Sequence, residues 1–134
     1  MTGNVAFGFQ AAPASDVHKP DQALYREAME DCALGHRLGY DAAWLLEHHF
    51  SDYYPTPSPL LFMAHIAAAL PDLSLGTSVL VLPWYHPLRL AEEIAMLNSL
   101  TRGTLHLGIG RGTAKMEYDA YNVDMNEARA RFAE

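Results

Sequence analysis

The chain has 134 residues, 50% of them apolar and 19% charged, a composition that can bury a core and excludes disordered or collagen-like polymers. Nine basic against sixteen acidic residues leave a formal charge of -7, which disfavours nucleic acid and anionic membrane surfaces as partners. Cys32 is the single cysteine, so neither an intrachain disulfide nor a cysteine-rich zinc site can form, and the opening MTGNVAFGFQ has no basic segment ahead of a long apolar run. With no apolar stretch near the roughly 18 residues of a membrane span, a cytoplasmic protein is expected.

In chain order, Val5 to Phe9 reads as a first strand, followed by a loop rich in Ala, Pro, Ser and Asp. A helix follows from Asp21 as N-cap, with Leu24, Tyr25, Ala28, Met29 and Cys32 recurring at spacings of three and four, and Gly39 ends it after Leu38. Ala42 to Leu46 is a second strand. A loop carrying Glu47, His48, His49 and Phe50 leads to Ser58-Pro59, an N-cap with proline at the first helical position, and the second helix runs to Leu70. Leu75 to Leu82 is a third strand. Pro87 opens a third helix with a stripe of Leu90, Ile94 and Leu97, and Gly103 supplies its stop. Leu105 to Ile109 alternates as a fourth strand, and Asn126 begins a last helix that reaches the final residue.

The order βαβαβαβα demands a parallel sheet with right-handed crossovers. Strand centres near residues 7, 44, 78 and 107 recur at intervals of 37, 34 and 29 residues, comparable to the roughly 31 per unit of a (β/α)8 barrel of about 250 residues. Four units would be half a barrel. A small doubly wound sheet is complete at this length, and segment order alone favours it.

Several motifs admit both a structural and a functional reading. Gly108-Ile109-Gly110-Arg111-Gly112 has the spacing GxGxG, which fails as a dinucleotide fingerprint. On local pattern it reads as a strand-end turn; functionally, its backbone would approach a flat ligand while Arg111 meets a phosphate. Glu47-His48-His49 lacks the spacing of a helical zinc site, so no metal is expected. Adjacent side chains diverge at a strand end, so the two histidines are expected to do different work, one facing the strand mouth and one packing sideways. His106 shares the face of Thr104, Gly108 and Gly110, opposite Leu105, Leu107 and Ile109, which suits a barrel interior or a hydrogen-bonded core histidine. His65 and the alanines 64 and 67–69 make the second helix narrow. Cys32 reads as inert core.

Taken in order, Gly39-Tyr40-Asp41, Trp44 to Phe50 (WLLEHHF), Ser58-Pro59, Gly76-Thr77, Val81-Leu82-Pro83, His86-Pro87, Ala91 to Ala95 (AEEIA) and Gly108 to Gly112 resemble the N-terminal half of the bacterial-luciferase-like flavin-dependent monooxygenases. Glu117-Tyr118 and Glu127-Ala128-Arg129 fit the same pattern, so the resemblance covers almost the whole chain. It implies an α/β fold that is the N-terminal half of a (β/α)8 TIM barrel, about four parallel βα units, and it displaces the doubly wound reading. Residues 1–134 then form one partial barrel domain, truncated relative to the family.

The resemblance further implies reduced FMN as cofactor, delivered by a flavin reductase, or a deazaflavin as in some relatives. Dioxygen and a small organic substrate such as an aldehyde are the implied reactants, oxidised through a flavin peroxide. By position, His48 looks like the active-site histidine, Arg111 like the phosphate-binding arginine, and Ser78-Val79 occupies the place of a non-prolyl cis peptide under the flavin ring. Gly110 stands where luciferase has a reactive cysteine. Asn98 and Thr104 depart from the usual aspartate and arginine. A half-barrel would expose the edges of its first and fourth strands, and Val5, Phe7 and Phe9, or their alternates, on its concave face. It is therefore expected to form a homo-oligomer, with the second and third helices resembling the family's dimer surface, or to meet a complementing second half.

Overall fold

The structure is a computed structural model that describes residues 5–134. Residues 1–4, part of the segment read above for a leader, lie outside the described residues. Four strands, β1 (Gly8–Gln10), β2 (Ala42–Leu45), β3 (Ser74–Val81) and β4 (Leu105–Gly110), lie in that order in one sheet, and every adjacent pair is parallel. The long crossover helices are α1 (Asp21–Arg37), α2 (Pro59–Ala69) and α3 (Pro87–Leu100). Two short helices follow β4: α4 (Lys115–Ala120) and α5 (Ala128–Ala133).

Register decides which face each strand residue uses. Phe9 pairs with Ala43 and Ala43 with Leu75, so these side chains share one face, and they join Ala28 and Cys32 of α1, Met63 and Ile66 of α2, and Leu90 and Leu97 of α3 in a single core. All three long helices therefore cover the same face, which removes the doubly wound alternative. Leu45, Met63, Ile66 and Leu80 are fully buried, and each such side chain contributes roughly 1.5–3 kcal/mol. On the opposite face Trp44 lies across its neighbours: a Cβ on Gly8 would come 2.4 Å from its Nε1, and one on Gly76 2.5 Å from its Cε3. His106 stacks on the same ring at 5.5 Å, and its side chain makes no hydrogen bond among the described residues. Van der Waals contact with the indole thus replaces the hydrogen-bonded alternative considered for it.

Several boundaries differ from the sequence reading. The first strand begins at Gly8 rather than Val5, because the Phe7 N–H is taken by Asp41 Oδ2 at 2.7 Å instead of a ladder carbonyl. Phe9 faces the helices and Tyr40 rather than the concave side, where Gly8 and Gln10 stand instead. Asp21 is the first helical residue, after Pro20 as cap, and its carboxylate complements the positive end of α1. Gly39 does adopt the left-handed backbone of a helix stop, at φ 85°. Leu82 leaves the third strand for a short 3-10 turn, Leu82–Trp84. α3 ends at Leu100, and Gly103 instead permits close packing, since a Cβ there would meet the Leu73 carbonyl oxygen at 2.6 Å. Asn126 lies in a 3-10 turn, Met125–Glu127, capped by the Asp124 carboxylate, and α5 begins after it. The sequence reading contained no helix corresponding to α4.

Candidate active site

The C-terminal ends of β2, β3 and β4 open into one cleft of about 320 Å3, whose walls include His48, Ser78, Val79, Gly110 and Arg111. All five residues singled out from the sequence meet there. The β3 wall is built by an irregularity: Thr77 pairs with Leu107 but Leu80 with Ile109, so β3 carries one extra residue, and Ser78 and Val79 lie within it. The Ser78–Val79 peptide bond is cis. From β4, Gly110 allows close approach, because a Cβ would stand 2.6 Å from Val79 Cγ2, and Gly112 turns the chain with φ 70°. Arg111 is exposed at this turn and makes no ion pair among the described residues. Its carbonyl accepts the Tyr118 hydroxyl, which ties the turn to α4.

The two histidines diverge. His48 is held at the cleft with its ring stacked on Tyr54 at 5.5 Å, and its Nδ1 lies 3.3 Å from Glu117 Oε1. Its backbone N–H donates to the Thr56 carbonyl, and Phe50 takes a left-handed φ of 54° that turns the chain after the pair. His49 points inward, where Nε2 lies 3.0 Å from Glu47 Oε1 and Nδ1 2.6 Å from the Tyr121 hydroxyl. Trp84 packs edge-on against the His49 ring at 4.9 Å and stacks on Tyr121.

Both acids of the cleft are engaged. Glu47 accepts from the Tyr85 hydroxyl and the Val81 N–H, each at 2.7 Å, and Glu117 accepts the His49 N–H at 2.8 Å. Such bonds satisfy buried carboxylates. Burial first, then the neighbouring Glu47 charge, pushes the Tyr85 hydroxyl well above the ordinary tyrosine range and raises the Tyr121 hydroxyl as well, so both stay protonated. Burial also raises Tyr118, outweighing the opposing effect of Arg111. Arg111 is thus the cleft's uncompensated charge, at a glycine-lined turn that can admit an anion.

Glu47, Tyr85, Glu117 and Tyr121 were given no site role in the sequence reading. The adjacency of Glu47 to the histidine pair was the available signal for one of them. For Glu117 there was only its match to the family pattern, because its partner His48 is 69 positions away. Among the described residues, no group of three or more His, Cys, Asp or Glu converges as a metal site, and no helix is long and apolar enough to cross a membrane.

Comparison with known proteins places the chain among monooxygenases. The chain is 39% identical to the uncharacterized protein y4vJ of Sinorhizobium fredii, over 94% of this chain and 36% of that one. It is 35% identical to an alkanal monooxygenase alpha chain of Photorhabdus luminescens, and 38% to the oxygenase component of a flavin-dependent trigonelline monooxygenase of Acinetobacter baylyi; each match covers 72% of this chain and 27% of the relative. The chain therefore spans about a third of the length of the curated relatives it matches. Among solved structures, monooxygenase RslO1 of Streptomyces bottropensis matches with a TM-score of 0.88 and 30% identity, over 96% of this chain and 40% of that one. The fold also matches the oxygenating constituent of 3,6-diketocamphane monooxygenase from Pseudomonas putida, solved with FMN, at a TM-score of 0.84 and 20% identity, over 96% of this chain and 37% of that one. These neighbours have the TIM-barrel fold, and the four parallel strands here correspond to part of such a barrel. The description luciferase-like monooxygenase fits residues 5–134, and the chain belongs to that family.

Proposed function

We propose that residues 1–134 are one partial barrel domain of a flavin-dependent monooxygenase that oxidises a small organic substrate, such as an aldehyde, with dioxygen and reduced FMN. The observation that carries this reading is the convergence of His48, Ser78, Val79, Gly110 and Arg111 on one cleft at the strand ends. The residues present fit the cofactor: an unpaired guanidinium suits a phosphate, and the turn at Gly110 and Gly112 leaves room beside Val79 where side chains would intrude.

In this reading Arg111 holds the phosphate through a charge-assisted fork, and Ser78-Val79 with Gly110 forms the wall against the flat ring. His48, with Nδ1 facing Glu117, keeps Nε2 free of protein partners among the described residues and can give or take a proton at that atom. Bound reduced flavin supplies the electrons for oxygen activation. A flavin reductase is the proposed source of that flavin, with a deazaflavin as the alternative cofactor, and the cytoplasm is the proposed compartment.

A second reading, a flavin-binding or assembly module without turnover, is favoured by the unpaired outer edges of β1 and β4. Leu61, Leu88, Met96 and Leu100 are exposed on α2 and α3, which supports association as a homo-oligomer, or alternatively with a complementing second half. Reduced-flavin oxidation is to be followed together with oxygenated product. The monooxygenase reading expects product that scales with flavin consumed; flavin binding without product supports the module.

A further inference from the structure

The two acids of the cleft hold different things. Glu117 faces His48, whereas the Glu47 side chain is wholly buried and makes no hydrogen bond to His48 among the described residues. Three donors converge on Glu47: the Tyr85 hydroxyl at 2.7 Å and His49 Nε2 at 3.0 Å on Oε1, and the Val81 N–H at 2.7 Å on Oε2. An ionised carboxylate only accepts, so His49 carries its proton on Nε2. In the neutral ring Nδ1 is then bare, and it accepts from the Tyr121 hydroxyl at 2.6 Å. Tyr121 caps the C-terminal end of α4. The same short helix carries Glu117, whose Oε1 accepts the His49 N–H at 2.8 Å and faces His48 Nδ1 at 3.3 Å.

We infer that Glu47 is a positioning residue for the site: by accepting from Nε2–H it fixes the tautomer and the seat of the His49 ring, so that Nδ1 meets the Tyr121 hydroxyl, and the bond between them holds α4, and Glu117 with it, against His48. The inference rests on reading His48 as the proton-handling group of the cleft. The polarity of the Glu47, His49 and Tyr121 chain does not depend on any cofactor. Glu47→Gln tests it directly, because an amide presents one acceptor oxygen and one donor nitrogen. With its oxygen kept on the Val81 N–H, its nitrogen faces His49 Nε2, and the ring proton has to move to Nδ1. The Tyr121 hydroxyl oxygen then accepts from the Nδ1–H instead of donating to it, so the bond persists with its direction reversed.

Nitrogen-15 NMR of the histidine rings, read on the chain without flavin, distinguishes bare from proton-bearing nitrogens. The wild type is expected to show His49 protonated on Nε2 and His48 on Nδ1. Glu47→Gln should move the His49 proton to Nδ1 and leave the His48 pattern in place, because the reversed bond still ties Tyr121 to the His49 ring. Tyr121→Phe, at a position 41% exposed, keeps every Glu47 bond and breaks only the link to α4. This variant should turn His48 into a mixture of tautomers, and the test survives if Glu47→Gln does not fold. His49 protonated on Nδ1 in the wild type or on Nε2 in Glu47→Gln, or a His48 pattern unmoved by Tyr121→Phe, overturns the inference. An accompanying rise of at least threefold in the FMN dissociation constant is expected. If the wild type fails to bind FMN while the His48 pattern moves as stated, the flavin reading falls and the positioning role of Glu47 stands.

Discussion

Glu117 Oε1 stands 3.3 Å from His48 Nδ1 and at the same time accepts the His49 backbone N–H at 2.8 Å. One oxygen on a helix after β4 thus fixes the loop after β2, and the ring that faces the cleft is oriented by a residue from another strand unit. His48→Ala should lower product formation per unit of reduced flavin by about 10²–10⁴-fold, the range for loss of a general acid or base. Glu117→Gln should lower it less, by about tenfold, because the imidazole remains but is less well held. Product yield within twofold of wild type in His48→Ala would remove the proton-handling role.

Gly76→Val tests the concave face. Its branched side chain enters the space of the Trp44 indole, where even a Cβ would lie 2.5 Å from Cε3 and 2.7 Å from Cζ3. Overpacking of this kind costs roughly 1–3 kcal/mol. Denaturant unfolding should show a lower midpoint with unchanged slope, and an unshifted midpoint would mean that the indole moves aside freely.

Burial and, secondarily, the Asp31 charge push the Cys32 thiol up from 9.0 to about 12. The folded thiol therefore keeps its proton where an unfolded one ionises. Its contribution to stability is complete below pH 9 and is lost as pH rises toward about 12. A thiol-disulfide reagent at pH 8 should leave the native chain unlabelled and label it fully in denaturant. Rapid labelling without denaturant would contradict the buried placement.

Much of the fold was legible because its signals are local. The Leu24, Ala28, Cys32 stripe of α1 and the stop at Gly39 depend on nearest neighbours along one helix, and both appear where their spacing put them. Segment order alone favoured the doubly wound sheet, wrongly, because that fold is complete at this length; only the family pattern pointed to a barrel piece. α4 was missed because six residues are too few to show a period, and its side chains are held by partners far along the chain. Gly103 was misread for a related reason, since its neighbour is the Leu73 backbone across a loop. At the site, glycine, histidine and arginine types drew attention to one wall each, but the network joining Glu47, His49 and Tyr121 needs the fold to bring positions 47 and 121 together.

The central claim is that this cleft takes a flavin phosphate on Arg111. The direct measurement is a titration of the chain with FMN and, separately, with riboflavin, which lacks the phosphate, repeated on Arg111→Ala. The wild type is expected to bind FMN at least about tenfold more tightly than riboflavin, equivalent to roughly 1.4 kcal/mol and within the range of a charge-assisted hydrogen bond. In the variant the difference should disappear while riboflavin affinity is unchanged. Equal affinity of the wild-type chain for the two flavins, or an FMN preference that survives Arg111→Ala, would contradict it.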